Sequence, residues 1–162
     1  MDAAEDLSQQ LWTMRELLQH LAFKLDVQGL LMSTGRNRWV PFAVAEIDAV
    51  LAAIDEVERL RSAASRRLTT RLGLAHDIRL TDLIDRIGAP WDGLLAQHRL
   101  HLLSLQAEIE EMSRSNHELA RRGLIRSREV IAALGEATVD VYDPTGASVS
   151  LVTASQRLDR IV

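Results

Sequence analysis

The chain of 162 residues has the length of one domain, and 47% of its residues are hydrophobic while only 4% are aromatic, a Leu- and Ala-rich mixture that favours long helices over sheets. The absence of cysteine excludes disulfide bridges and thiolate metal sites and fits a reducing compartment. The net charge of −4, the acidic start and the lack of any run near the ~20 apolar residues that span a bilayer predict a cytoplasmic protein without membrane insertion or nucleic-acid binding.

The first predicted helix covers residues 3–34. Asp2 and Glu5 stand in the relation of a capping box at its start, and Gly35 offers the left-handed backbone conformation that ends many helices. Apolar residues follow one another at alternating spacings of four and three, the heptad pattern of helices that pack lengthwise. These residues are Leu7, Leu11, Met14, Leu18, Leu21 and Leu25.

The second predicted helix covers residues 42–72 and ends at Gly73. Leu74 is placed for the hydrophobic contact that accompanies a Schellman cap. The same heptad rhythm predicts a second core stripe, widened by Leu51 and Leu60. Its members are Ala43, Ile47, Val50, Ile54, Val57, Arg61, Ala64 and Leu68.

A short helix over 81–87, with Thr81 as its N-cap, precedes a third long helix over 90–134 that begins at Pro90. The heptad pattern of the first two helices continues in this third helix. Its stripe consists of Trp91, Leu95, His98, Leu102, Leu105, Ile109, Met112, Asn116 and Leu119. Two helices of about 30 residues and one of about 45 predict an all-α, elongated three-helix antiparallel bundle or coiled coil.

Because the third helix is the longest, it is expected to overhang the other two. Beyond Leu119 the apolar stripe is displaced by one position, which indicates that the last turns face a different partner. Gly123 is a plausible hinge within this part. The displaced stripe comprises Ala120, Leu124, Ser127, Ile131 and Leu134.

Residues 136–162 change in character. They are expected to form a loosely ordered, flexible C-terminal tail, with a small hairpin around the turn at 143–146 as the alternative. Residues 155–162 fit one or two turns of an amphipathic helix.

Side chains that resemble catalytic or metal-binding groups have simpler interpretations. His98 and His101 lie one helical turn apart, but no third ligand follows at a familiar spacing, so His98 is expected at the helix seam with its ring edge in water. Glu108 and Glu111 belong to a solvated polar face. No enzyme activity, metal or cofactor is therefore predicted. Asn116, a polar residue within an apolar stripe, is of the type that fixes helix register.

Several features of residues 105–146 together resemble the FlgN family of flagellar export chaperones. The third helix carries the pair Leu105-Gln106, then Asn116, then a Leu-rich continuation at 130–134. Tyr142 follows with a glycine four residues later. Asp143 stands where the family usually has a glycine.

This resemblance implies a function and a set of contacts. Members of the family hold the C-terminal amphipathic helices of hook-associated junction proteins of the FlgK and FlgL type in the cytoplasm, prevent their premature assembly, and deliver them to the export gate protein FlhA. Carried over by position, Tyr142 becomes the expected gate contact. The expected cargo contacts are Leu119, Leu124, Ile131 and Leu134.

Two other functional classes remain open from the sequence. Trp91-Asp92-Gly93 has the W-x-G form seen in helical proteins of type VII secretion. Alternatively, the unpaired stripe of the third helix is covered by a second copy of the chain, which describes a homodimer or a coiled-coil structural subunit.

Overall fold

In a computed structural model, residues 2–133 are described and form four α-helices joined by short turns. These are α1 (Ala3–Ser33), α2 (Val40–Leu72), α3 (Leu80–Ile87) and α4 (Trp91–Ala133), with a 3₁₀ turn at Asn37–Trp39 between α1 and α2. The all-α prediction is confirmed, and no strand occurs within residues 2–133. The predicted tail, with its alternative hairpin, lies outside the described residues.

Helix α1 is the central element, and it packs against α2 and against α4. Its pairing with α2 is antiparallel: Lys24 Nζ lies 2.7 Å from Glu46 Oε2 near one end, and Arg71 Nη1 donates to Asp2 Oδ1 (3.1 Å) at the other. Its pairing with α4 is parallel, because Ser8 contacts His98 while Leu25 contacts Asn116 farther along both helices. Helix α3 packs on α4.

The predicted α1 stripe is the centre of the core, since all six of its residues are at most 1% exposed. The α2 stripe is buried apart from Arg61, which donates two hydrogen bonds of 2.7 Å to Glu58. Leu51 is buried as expected, but Leu60 is 46% exposed and does not widen the stripe. On a helix, Leu51 and Leu60 fall on opposite flanks of the line that faces α1, and only the flank of Leu51 is covered.

Glycines end the first two long helices as expected. Gly35 and Gly73 have φ values of +73° and +67°, the left-handed region that glycine adopts without a Cβ penalty. The Arg36 N–H donates to the Leu31 carbonyl (2.8 Å) and the Leu74 N–H to the Thr69 carbonyl (2.9 Å), the six-to-one bond of a Schellman motif.

Three predicted helix starts are wrong, the first being that of α2, which begins at Val40 and not at residue 42. Arg79, not Thr81, precedes α3, because Leu80 is buried and already lies in the first turn while Thr81 is exposed. Arg79 instead pairs with Asp82 across the first turn (3.2 Å). Pro90 lies in the turn before α4, which begins at Trp91 and is anchored by the N–H groups of Trp91 and Asp92 on the Gly88 carbonyl.

Helix α4 extends well beyond the end of α1. Asn116 lies level with residues 25–29, so the last residue of α1, Ser33, is level with about residue 122 of α4. Residues 122–133 therefore project about 18 Å past α1 at 1.5 Å per residue. We call residues 122–133 the overhang.

Candidate partner-binding site

The overhang contains no buried residue. Leu124 and Ile131 are seven residues apart, so they lie on the same face, and both are of intermediate exposure. Leu124 follows the buried Asn116 by eight residues, a rotation of about 80° at 100° per residue. The overhang thus presents an apolar stripe on roughly the side that α1 covers lower down, but no described part of the chain packs there closely enough to bury it.

The residues expected to bind cargo do not form one continuous line. Leu119 is turned by about 140° from Leu124 and lies against α1 beside Gly29 and Leu30. Leu134 and the expected gate residue Tyr142 lie outside the described residues. The structure therefore brings together Leu124 and Ile131 alone and places Leu119 in a neighbouring groove.

This groove runs between α1 and α4 and consists of two adjoining depressions of about 390 and 400 Å³. They share Asp26 and Met112, so they form one surface. The apolar side chains lining it are Phe23 and Leu30 of α1 and Leu105, Met112 and Leu119 of α4. Phe23 and Leu30 are 58% and 62% exposed. We call this surface the α1–α4 groove.

The carboxylates of Asp26 and Glu108 also line the groove. Eight other acidic side chains of the bundle are paired with arginine or lysine, as Glu111 is with Arg114 (2.7 Å). Among the described residues, no ion pair or hydrogen bond engages Asp26 or Glu108. The groove is therefore apolar at its floor and negatively charged at its rim.

A buried polar contact fixes α4 against α1 at the upper end of the groove. The Asn116 amide nitrogen donates to the Leu25 carbonyl (2.7 Å) and to Gln28 Oε1 (3.0 Å), and both Asn116 and Gln28 are buried. A Cβ on Gly29 would lie 2.5 Å from Asn116 Oδ1, so only glycine leaves room for the amide. A buried polar contact of this kind between two helices can fix their register, which is the role that the sequence indicated for Asn116.

His98 forms a second polar contact in the same seam, near the lower end. It is 4% exposed, so the expectation of a ring edge in water is wrong. Its Nε2 lies 3.1 Å from Ser8 Oγ, and the Trp12 ring packs edge-on at 6.2 Å. Burial, together with the charges of Arg15 and His101, lowers the pKa of His98 below its usual value.

This pKa shift predicts a loss of stability at mildly acidic pH. The unfolded chain takes up a proton on His98 near pH 6.5, whereas the folded chain does so only at lower pH, so stability decreases as pH falls through 6.5. The loss is at most about 1.4 kcal/mol per pH unit. Urea unfolding at pH 7.5 and 5.5 measures it. His98→Gln is expected to reduce the difference between the two pH values. The control His117→Gln, at an exposed histidine, is expected to leave it unchanged, and an equal effect of both contradicts the prediction.

At the base of the overhang, Glu118 accepts hydrogen bonds from Arg121 (3.1 Å) and Arg122 (2.9 Å). These bonds hold the pKa of Glu118 at about 2. The carboxylate therefore stays ionised at any physiological pH and partly neutralises the basic residues beside Gly123.

Three further features of the described residues bear on function: groups that could bind a metal ion, helices that could span a membrane, and the W-x-G tripeptide. Within residues 2–133, no group of three or more His, Cys, Asp or Glu side chains is placed to hold a metal ion. No helix in that range is long and apolar enough to cross a membrane. Trp91, the first residue of the W-x-G tripeptide, packs against the core.

The contribution of α1 to this surface was not predicted from the sequence. Phe23 and Leu30 fall outside the heptad stripe that faces the core. A signal was present, because Trp12, Gln19, Phe23, Asp26 and Leu30 form a second line with heptad spacing. The sequence does not show which neighbouring helix packs beside this line.

Comparison with known proteins adds one finding. A family model described as FlgN protein matches residues 1–150, most of the chain. No curated protein and no solved structure matches it significantly.

Proposed function

Because the chain belongs to the FlgN family of flagellar export chaperones, we propose that it binds the C-terminal amphipathic helices of hook-associated junction proteins, of the FlgK and FlgL type. It holds them unassembled in the cytoplasm and hands them to the export gate protein FlhA. The observation that supports this proposal is the overhang, whose apolar stripe is not buried by any described part of the chain.

The shape of the surface supports a helical client. An amphipathic helix buries its apolar face by lying along a partner helix or in the groove between two helices. Leu124 and Ile131 offer such a line on the overhang, and Leu119 offers a separate apolar contact in the α1–α4 groove. Leu134 extends the line by sequence position. No covalent step is needed, so the absence of a predicted catalytic residue is compatible with this function.

The charge of the surface supports the same kind of client. The rim of the groove is acidic at Asp26 and Glu108, and Arg128 flanks the stripe on the overhang. A client helix with charges of both signs beside its apolar face has counter-charges along this path, which favours one orientation of binding over the other.

The proposal is tested by light scattering coupled to size-exclusion chromatography. The full chain is mixed with the C-terminal segment of each hook-associated protein encoded in the same genome. We expect a one-to-one complex with at least one of them. If none binds and the chain alone runs as a salt-resistant dimer, the coiled-coil subunit replaces the chaperone as the better interpretation.

Delivery to the export gate is assigned to Tyr142. Tyrosine is enriched at binding hot spots because its ring buries a large area and its hydroxyl group stays hydrated. Tyr142→Ala is expected to weaken binding to the cytoplasmic domain of the gate protein about tenfold, the effect of 1.4 kcal/mol. Calorimetry measures the affinity. Client binding by the same variant is the control and is expected to be unchanged, whereas undiminished gate binding contradicts the assignment.

A further inference from the structure

Asp26 and Glu108 of the α1–α4 groove, which pair with no described residue, indicate a basic partner, and the chain itself contains one. We propose that residues 151–162 dock in the α1–α4 groove as an amphipathic helix when no client is bound. Arg157 and Arg160 then meet Asp26 and Glu108. Three observations support the proposal: the apolar face of the segment, its charge, and the length of the connection that leads to it.

The apolar chemistry of the segment fits the floor of the groove. Leu151, Ala154, Leu158 and Ile161 are spaced three, four and three residues apart, which places them on one face of a helix. The floor offers Phe23, Leu30, Leu105, Met112 and Leu119. A helix of this length cannot bury its apolar face alone and is marginal in isolation, so it gains stability only on a partner surface.

The charge of the segment is opposite to that of the groove. Residues 151–162 carry two arginines and one aspartate; Arg157 borders the apolar face, and Arg160 lies one turn further along on the polar side. The groove carries Asp26 and Glu108 without a cationic partner among the described residues. An arginine placed there forms an ion pair that the bundle itself does not supply.

The connection is long enough for docking within one chain. Residues 134–150 lead from the end of α4 to the segment and span up to about 60 Å when extended. Leu119 lies about 21 Å back along α4 from Ala133, and Leu105 about 42 Å. The whole groove is within reach, and tethering gives the segment an effective concentration near the millimolar range, so even weak docking is populated.

Docking here has a regulatory consequence, which rests on the proposed client function. The segment covers Met112 and Leu119, beside the overhang where the client is proposed to bind. A segment that occupies the groove for two-thirds of the time weakens the apparent client affinity about threefold. The chain then presents its full binding surface only to a client that displaces its own segment.

The test uses the full chain, whose lack of cysteine permits a single spin label at Ser155→Cys. Methyl NMR signals of Leu30, Leu105 and Met112 are expected to broaden strongly, while those of Leu60 on the outer flank of α2 do not. Charge reversal by Arg157→Glu with Arg160→Glu is expected to abolish the broadening. Adding Asp26→Arg and Glu108→Arg, both at exposed positions, is expected to restore it.

Three results overturn the proposal. These are no broadening in the groove, equal broadening after charge reversal, and broadening that is also seen when the spin label and the observed methyl groups are on separate chains. The last result assigns the groove to a second copy. Because no client is present, the outcome does not depend on the proposed function. Client titration of the charge-reversed chain then reports the function separately, with an expected gain in affinity of about threefold.

Discussion

Replacement of Leu124 and Ile131 by aspartate is expected to reduce client affinity at least a hundredfold. Burial of each side chain on a client helix contributes about 1.5–3 kcal/mol, and two buried carboxylates add a desolvation penalty. A loss of 3 kcal/mol already corresponds to more than a hundredfold in the dissociation constant. Calorimetry or fluorescence anisotropy with the client segment measures this change.

The same double variant is expected to keep the stability of the bundle. Neither residue is buried, and both lie beyond the end of α1, so their replacement removes no core contact. Surface substitutions of this kind usually change the free energy of unfolding by no more than about 0.5 kcal/mol. Urea unfolding therefore separates loss of the binding surface from loss of the fold.

A matched control lies on the same helix. Ile125 and Val130 are 43% and 53% exposed and fall on the two flanks of the stripe. Ile125→Asp with Val130→Asp introduces the same charges and the same helix propensities, yet it leaves the stripe intact. This variant is expected to bind the client. If both double variants lose binding equally, the stripe is not the binding surface.

The second large effect concerns the contact between α1 and α4. Gly29→Ala is expected to destabilise the protein by about 1–2 kcal/mol, although alanine normally stabilises a helix by up to about 1 kcal/mol over glycine. The added Cβ would lie 2.5 Å from Asn116 Oδ1. The amide must then leave its place and forfeit two buried hydrogen bonds, which costs about 1–3 kcal/mol.

The sign of this effect depends on Asn116. In a chain with Asn116→Ala the obstructing amide is absent, so Gly29→Ala is expected to be stabilising by up to about 1 kcal/mol. The four chains of the double-mutant cycle, compared by urea unfolding, then give a coupling energy of about 2–3 kcal/mol. Coupling below about 0.5 kcal/mol means that the seam accommodates both side chains independently and that the contact does not set the register.

The helices and their seams could be predicted from sequence because they depend on local periodicity. Leu11 and Ile47 each belong to a repeat that only a helix brings onto one face. The start of α3 could not be predicted, because the burial of Leu80 outweighs the capping preference of Thr81. The burial of His98 was missed for a similar reason, since Trp12 and Ser8 arrive from another helix.

The site was predicted in part. The overhang follows from helix lengths alone, and its stripe from the displacement after Leu119. The α1–α4 groove required the parallel arrangement of α1 and α4, which no local pattern contains. Asn116 illustrates the difference: its polar nature in a stripe indicated a register contact, but its partners Leu25 and Gln28 precede it by about ninety residues.

The central position of α1 has a consequence for the order of folding. The α1–α2 pair closes through one short turn, and Lys24 and Glu46 are 22 residues apart, whereas Leu25 and Asn116 are 91 residues apart. Since each doubling of a loop costs about 0.6 kcal/mol, the α1–α4 pairing carries about 1.2 kcal/mol more closure entropy. During synthesis α1 and α2 therefore form a hairpin first, with the α4-facing side of α1 exposed until α4 is complete. In the finished protein, amide exchange is expected to be slowest in α1 and faster in α4, the helix that joins last and carries the proposed binding surface.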